Sequence, residues 1–244
     1  MVCLVTGSSK NIGKNIILEF AKNNYDVVIN YNKSLDEANK LKNYILENYK
    51  VKVLAIKCDI SNELEVKNMI KKIETELGNI DVLVNNATIE LNSEFENKNS
   101  ETFKKVLNTN LIGTFLVSKY VIEKMIQNKN GSIINITSNN AINKYDPTTL
   151  EYDASKAGII SLTHNLALKG APYINVNAIA PGWVYTDDIK KLDDNLNNEF
   201  IKEESKNILL NRFCKMEEIA SLTYYLTTNK YINNQVIIID GGTK

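Results

Sequence analysis

Val2-Cys3-Leu4-Val5-Thr6-Gly7-Ser8-Ser9-Lys10-Asn11-Ile12-Gly13 is the stretch whose reading decides the fold. Its first four residues are apolar and partly β-branched, which reads as a short buried strand. A polar turn carrying two glycines follows, and a helical run, Ile12–Asn23, starts directly behind it. Glycine in such a turn lets backbone come close to a ligand, and the helix start offers unpaired N–H groups to a phosphate. A Gly-x5-Gly turn can equally be a plain connection. Its place, as the first strand-to-helix turn of the chain, is where a doubly wound sheet binds a dinucleotide. Gly7, Ser9, Lys10, Ile12 and Gly13 are therefore candidate cofactor contacts.

Outward from this turn, short apolar runs alternate with longer helical stretches. The strand candidates are Val2–Val5, Val27–Tyr31, Lys52–Lys57, Asp81–Val84, Ser132–Thr137, Asn175–Ala180 and Gln235–Ile239. The helix candidates lie near Ile12–Asn23, Leu35–Tyr49, Glu63–Leu77, Ser100–Gln127, Leu150–Lys169 and Glu217–Thr227. Strands that read as continuous hydrophobic runs are covered on both faces, which predicts a parallel sheet between helical layers. Right-handed crossovers then give an α/β, doubly wound Rossmann fold with a seven-stranded sheet. With no repeat, linker or composition break, residues 1–244 are expected to form a single dinucleotide-binding and catalytic domain. The polar stretch Tyr185–Leu210 reads as a substrate loop or lid.

Composition narrows the classes of function. Lysine plus arginine equal aspartate plus glutamate at 29 each, so no net positive field favours nucleic acid or an anionic membrane. No apolar run approaches the roughly 20 residues that span a bilayer. The first residues lack the charged region and cleavage site of a signal peptide, so a cytoplasmic protein is expected. Three scattered cysteines, Cys3, Cys58 and Cys214, and the lone His164 suit neither a metal site nor a disulfide framework. A Ser-His-Asp hydrolase would have to use His164, which lies in a helical pattern with no G-x-S-x-G motif nearby.

The second strand runs into Asn30-Tyr31-Asn32-Lys33, where an NAD-binding domain usually places a carboxylate for the ribose hydroxyls. Here there is none. Asn32 and Lys33, with Lys10 in the phosphate turn, suit the extra 2′-phosphate of NADP, although both lysines could simply be solvated.

Tyr152 and Lys156 are four residues apart and share a helix face. A tyrosine of pKa near 10 is a poor proton donor or acceptor at neutral pH, and a nearby ammonium favours the phenolate. A shift of about three units corresponds to roughly 4 kcal/mol. Such a pair makes an acid/base unit, although an amphipathic helix can also carry both residues by chance.

The pair belongs to an ordered set of motifs. Thr6–Gly13 is followed by Asp59 with Ile60, Asn85-Asn86-Ala87, Asn110, Ser138, Tyr152-x3-Lys156, Pro181-Gly182 and Asp240-Gly241-Gly242. In this order and spacing, covering nearly the whole chain, the sequence resembles the single-domain branch of the short-chain dehydrogenase/reductase family. The resemblance implies that Tyr152 protonates a carbonyl oxygen while Ser138 hydrogen-bonds the same oxygen. It implies that Lys156 binds the nicotinamide ribose and depresses the Tyr152 pKa, and that Asn110 holds a relay water. Asp59 then contacts adenine, with Ile60 beside it; Asn86 and Ala87 line the ribose, and Pro181, Gly182, Val184 and Thr186 cradle the nicotinamide. An NADP-dependent oxidoreductase acting on C=O is the expected activity; a non-catalytic NADP-binding sensor on the same fold is the contrasting one.

Two positions depart from the family pattern: Asn11 and Thr88 stand where glycine is usual. Asparagine tolerates left-handed backbone, so the turn can still form, whereas Thr88 adds a β-branched side chain beside the cofactor. Within the family the resemblance points to the 3-oxoacyl-[acyl-carrier-protein] reductases of fatty-acid synthesis, through Val27–Tyr31, Asn177–Trp183 and Asn211-Arg212-Phe213. Reductases of small alcohols, sugars or steroids remain the alternative. An acidic carrier protein needs cations at the active-site mouth, and Lys129 and Lys169 are the candidates. A homotetramer paired through long helices and the last strand is the assembly the resemblance implies.

Overall fold

The computed structural model describes residues 1–196 and 199–244. Its sheet consists of β1 (Val2–Val5), β2 (Asp26–Tyr31), β3 (Val53–Lys57), β4 (Ile80–Asn85), β5 (Gly131–Ile136), β6 (Ile174–Pro181) and β7 (Val236–Ile239). The order is β3-β2-β1-β4-β5-β6-β7, and every pairing is parallel. This is the seven-stranded, doubly wound arrangement expected. The order reverses between β1 and β4, so a crevice opens at the carboxyl ends of those strands.

Alternation along β1 shows why both faces are covered. Cys3 and Val5 enter one core with Ile16, Ile17 and Phe20 of α1 (Asn11–Lys22), Leu41 and Ile45 of α2 (Leu35–Asn48), and Ile219 and Leu226 of α9 (Met216–Thr228). Val2 and Leu4 enter the other, with Val66 and Ile70 of α3 (Glu63–Glu76), Leu116 and Val121 of α5 (Thr114–Asn128), and Leu166 of α6 (Leu150–Gly170). Period-two alternation thus feeds two apolar layers from one short strand.

Two expectations are corrected. The single helix expected over Ser100–Gln127 is instead α4 (Ser100–Leu107), a π-helical segment over Asn108–Gly113, and α5. Gly113 closes that segment against Ile60: a Cβ there would fall 2.7 Å from Ile60 Cγ1. The stretch Tyr185–Leu210 is largely helical in its described part, with α7 (Asp187–Asn195) and α8 (Phe200–Ser205); residues 197–198 of that expected loop lie outside the described residues. Thr186 caps α7, accepting from Ile189 N–H at 3.2 Å. His164 sits on α6 with Nδ1 2.6 Å from Asn234 Oδ1, far along the helix from Tyr152.

Candidate active site

The crevice at the carboxyl edge has a volume of about 910 Å³, within the usual range for a ligand site. It brings together Gly7, Ser9, Lys10, Ile12 and Gly13 with Asn32, Lys33, Asp59, Ile60, Asn86, Ala87, Ser138, Tyr152, Lys156, Pro181, Gly182, Val184 and Thr186. Of the predicted site residues only Asn110 is absent from its lining.

The phosphate turn is fixed by side chains from neighbouring strands. Gly7 N–H donates to Asn30 Oδ1 at 3.0 Å, and the Asn30 amide donates onward to Cys58 O at 3.1 Å. Thr6 Oγ1 accepts from the N–H groups of Asn86 and Ala87 at 2.9 and 3.0 Å. Gly13 must lack a side chain, because a Cβ would sit 2.6 Å from Asn86 Nδ2 and 2.7 Å from Gly7 O. Asn11 takes φ 50°, so the usual glycine is replaced without loss of the turn. Its amide donates to Asp188 Oδ2 at 2.8 Å, and its Oδ1 accepts from Asp187 N–H at 3.2 Å, tying the turn to the first residues of α7. No side chain caps α1, so its first N–H groups point free into the crevice.

Lys10 and Lys33 both line the crevice. Lys10 Nζ lies 3.6 Å from Asp188 Oδ2 in an exposed pair. The Asp59 carboxylate accepts from Ser61 N–H and Oγ–H at 3.0 and 2.7 Å and from the Asn32 amide at 3.0 Å. Burial works to raise its pKa, but those bonds, with the nearby charge of Lys33, hold it below the ordinary aspartate value. Thr88 is exposed at the wall beyond Ala87. On the far side Gly182 packs against the terminal motif, since a Cβ there would meet Asp240 Cβ at 2.7 Å.

Tyr152 and Lys156 stand on the first turns of α6, with Lys156 Nζ 5.3 Å from the Tyr152 ring centre. The Ser138 hydroxyl lies near the Tyr152 phenol, and its Oγ accepts from Asn140 N–H at 3.2 Å. The expected lowering of the Tyr152 pKa is not found. Burial pushes the phenol well up, the charge of Glu90 adds to this, and the Ser138 hydroxyl opposes it. The Lys156 ammonium donates to Ile136 O at 2.9 Å rather than to the phenol. Burial also lowers the Lys156 pKa to about 8, against the charge of Glu90.

Asn110 is fully buried outside the crevice. Its Oδ1 accepts from Ile89 N–H at 2.8 Å, and its amide donates to Ile89 O at 2.9 Å and Ser155 Oγ at 3.0 Å. The side chain therefore clamps the wall after β4, and Thr114 Oγ–H donates to the Asn110 carbonyl at 2.7 Å.

Lys129 and Lys169 are not at the mouth. Lys129 precedes β5, at the amino edge of the sheet, whereas Ser138 follows that strand; six strand residues separate the two ends by about 20 Å. Lys169 lies near the end of α6, about 25 Å along the helix from Tyr152. Parallel strands carry their ligand crevice at one end only, so neither lysine can flank the mouth of its own protomer.

Sequence reasoning missed Asn30, Thr6, Glu90 and Trp183. The first two carried a signal, being polar residues at the ends of otherwise apolar strands. Glu90 lines the crevice from the wall after β4, and Trp183 from the segment after β6.

A family model described as short chain dehydrogenase matches residues 1–197. The 3-oxoacyl-[acyl-carrier-protein] reductase FabG of Staphylococcus epidermidis is 36% identical over 98% of this chain and 97% of its own length. Carbonyl reductase family member 4 of Xenopus laevis is also 36% identical, over 99% of this chain and 97% of its own. Among solved structures, YwfH, an NADPH dependent reductase involved in bacilysin biosynthesis, superposes with a TM-score of 0.93 at 28% identity, over 100% of this chain and 98% of that one. The chain thus belongs to the short-chain dehydrogenase family and is an NAD(P)-dependent oxidoreductase acting between CH–OH and C=O.

Proposed function

We propose that the chain, acting as one domain over residues 1–244, uses NADPH to reduce the ketone of a 3-oxoacyl thioester. The observation that carries this reading is the convergence of Ser138, Tyr152 and Lys156 at one end of a crevice whose other end is a glycine turn beneath an uncapped helix. The names of the FabG relatives supply the thioester.

The residues present fit a dinucleotide. The free N–H groups of α1 suit its pyrophosphate. Lys10 and Lys33, with no carboxylate directly after β2, suit a 2′-phosphate. Asp59 and Ile60 would hold the adenine, Asn86 and Ala87 the ribose side, and Pro181, Gly182, Val184 and Thr186 the carboxamide. When bound, the reduced nicotinamide supplies the hydride.

Tyr152 gives its phenolic proton to the substrate oxygen as the carbonyl carbon is reduced. A phenol held above its ordinary pKa is in the protonated form that a general acid requires. Ser138 donates to the same oxygen and stabilises the charge that develops there. Lys156 binds the ribose hydroxyls and returns a proton to the Tyr152 phenolate. Asn110 acts by fixing Ile89, its side chain and its carbonyl both being bonded within the protein.

The same reading includes a cytoplasmic homotetramer, and exposed Phe115, Leu168 and Ile238 stand on α5, α6 and β7 where such pairing is expected. In that assembly Lys129 or Lys169 would serve a carrier protein at a neighbouring copy's crevice. A second reading, a small ketone, alcohol or sugar as substrate, is favoured by the absence of those cations from the protomer's own mouth. Steady-state rates with 3-oxoacyl carrier protein, 3-oxoacyl coenzyme A and small ketones, each with NADPH and NADH, test both. Failure to reduce either thioester, with turnover of a small ketone, replaces the first reading by the second.

A further inference from the structure

We infer that Glu90 is a specificity-determining residue: its carboxylate accepts a hydrogen bond from an amide N–H in the arm of the substrate and turns away free 3-oxo acids. The inference rests on the reading of the site as a 3-oxoacyl reductase.

Glu90 lines the same crevice as Ser138 and Tyr152, near enough for its charge to act on the phenol. It is rigidly placed. Just before it, both backbone groups of Ile89 are held by the Asn110 amide at 2.8 and 2.9 Å. Just after it, Ser93 N–H donates to Thr148 O at 3.2 Å, and Lys98 Nζ donates to the same oxygen at 2.9 Å.

The nearest buried cation of the neighbouring loop is already paired. Lys98 Nζ lies 2.6 Å from Glu151 Oε2, and both side chains are nearly buried. Asn92 lies near the Glu90 carboxyl and works to lower its pKa. Lys156, the cation that acts on Glu90, is bonded to Ile136 O. The other carboxylates near Glu90 are satisfied within their loop. Asp146 Oδ1 accepts from Thr148 N–H and Oγ–H at 2.8 and 2.7 Å. Asp153 accepts from the Asn140 amide, Thr149 Oγ–H and Asp146 N–H. Partial desolvation, and then the charges of Asp153 and Asp146, hold the Glu90 carboxyl above the ordinary glutamate range.

Among the described residues no cation forms a salt bridge with Glu90, so its carboxylate has spare acceptor capacity. It therefore favours a ligand that brings an N–H donor and disfavours one that brings a second negative charge. A 3-oxo acid carries its carboxylate two bonds from the reacting carbon, so a like charge enters the crevice that the exposed Glu90 carboxylate lines, at a cost of about 1 kcal/mol. A thioester removes that charge, and a pantetheine-type arm adds amide N–H groups.

The test compares Glu90→Gln with the parent enzyme on three probes sharing one 3-oxobutanoyl group. These are the N-acetylcysteamine thioester, which carries an amide N–H; the ethyl ester, which carries neither donor nor charge; and the free acid. Ratios of kcat/KM within each protein cancel any difference in folded fraction. In the variant the acid-to-ester ratio rises by about 5-fold and the thioester-to-ester ratio falls by about 3-fold or more. Unchanged ratios in a working enzyme overturn the role of Glu90 alone. No turnover of any of the three overturns the 3-oxoacyl reading, and this inference with it.

Discussion

Replacing Lys10 by alanine should separate the two nicotinamide cofactors. In the free protein Lys10 Nζ is 3.6 Å from Asp188 Oδ2, with the two side chains 55% and 60% exposed. An ion pair that open to solvent is worth at most about 1 kcal/mol. A charge-assisted contact from the same ammonium to a 2′-phosphate contributes about 1.5–3 kcal/mol. Binding gives up the first to gain the second, leaving about 0.5–2 kcal/mol, or about a 2- to 30-fold loss of kcat/KM for NADPH in Lys10→Ala. NADH, lacking the phosphate, should change by no more than about 2-fold. The counterpart is Asp188→Asn, which frees Lys10 and should raise kcat/KM for NADPH by up to about 5-fold. Steady-state assays with both cofactors on both variants read this directly. Equal losses with NADPH and NADH in Lys10→Ala would show that the lysine holds the turn and reads no phosphate. A decline for NADPH in Asp188→Asn would refute the competition between the two anions.

Two further outcomes follow from buried charge. Lys98→Met leaves Glu151, 1% exposed, without its cation at 2.6 Å; breaking such a pair costs about 3–5 kcal/mol. Tm should fall by about 6–20 °C in calorimetry. Restoration by Glu151→Leu in the same chain is expected, and failure to restore refutes the pairing as the cause. Lys156, lowered to about 8 by burial, is charged below that pH and neutral above it. The profile of kcat/KM for reduction should therefore fall as pH rises through about 8 and stay level below it, down to where other groups titrate. A profile flat to pH 10 contradicts the requirement for an ammonium.

The fold was legible because β1 to β7 are short apolar runs whose ends fall within one residue of where the pattern puts them. Gly7 and Gly13 were legible for a local reason, since a turn between strand and helix needs them. The π-helical segment at Asn108–Gly113 was not: Leu111 and Ile112 keep the apolar spacing of a continuous helix, and the close approach of Ile60 to Gly113 is a contact only the tertiary fold creates. The anchoring by Asn30 and Asn110 was hidden for the same reason, as each partner lies 21 or more residues away. Lys129 and Lys169 could have been placed correctly, because residues before a parallel strand or late in the following helix belong to the amino edge. The raised phenol of Tyr152 depends on burial and on Glu90, neither of which is visible in a spacing of four.

The central claim is that the Tyr152 phenol delivers the proton while Ser138 and Lys156 hold the geometry. Single-turnover oxidation of bound NADPH by a saturating 3-oxoacyl thioester, comparing Tyr152→Phe with the parent enzyme, measures that step alone. The reaction should slow by about 10²- to 10⁴-fold, with the Kd for NADPH, read from its fluorescence, altered by no more than a few-fold. A turnover rate near that of the parent would contradict it.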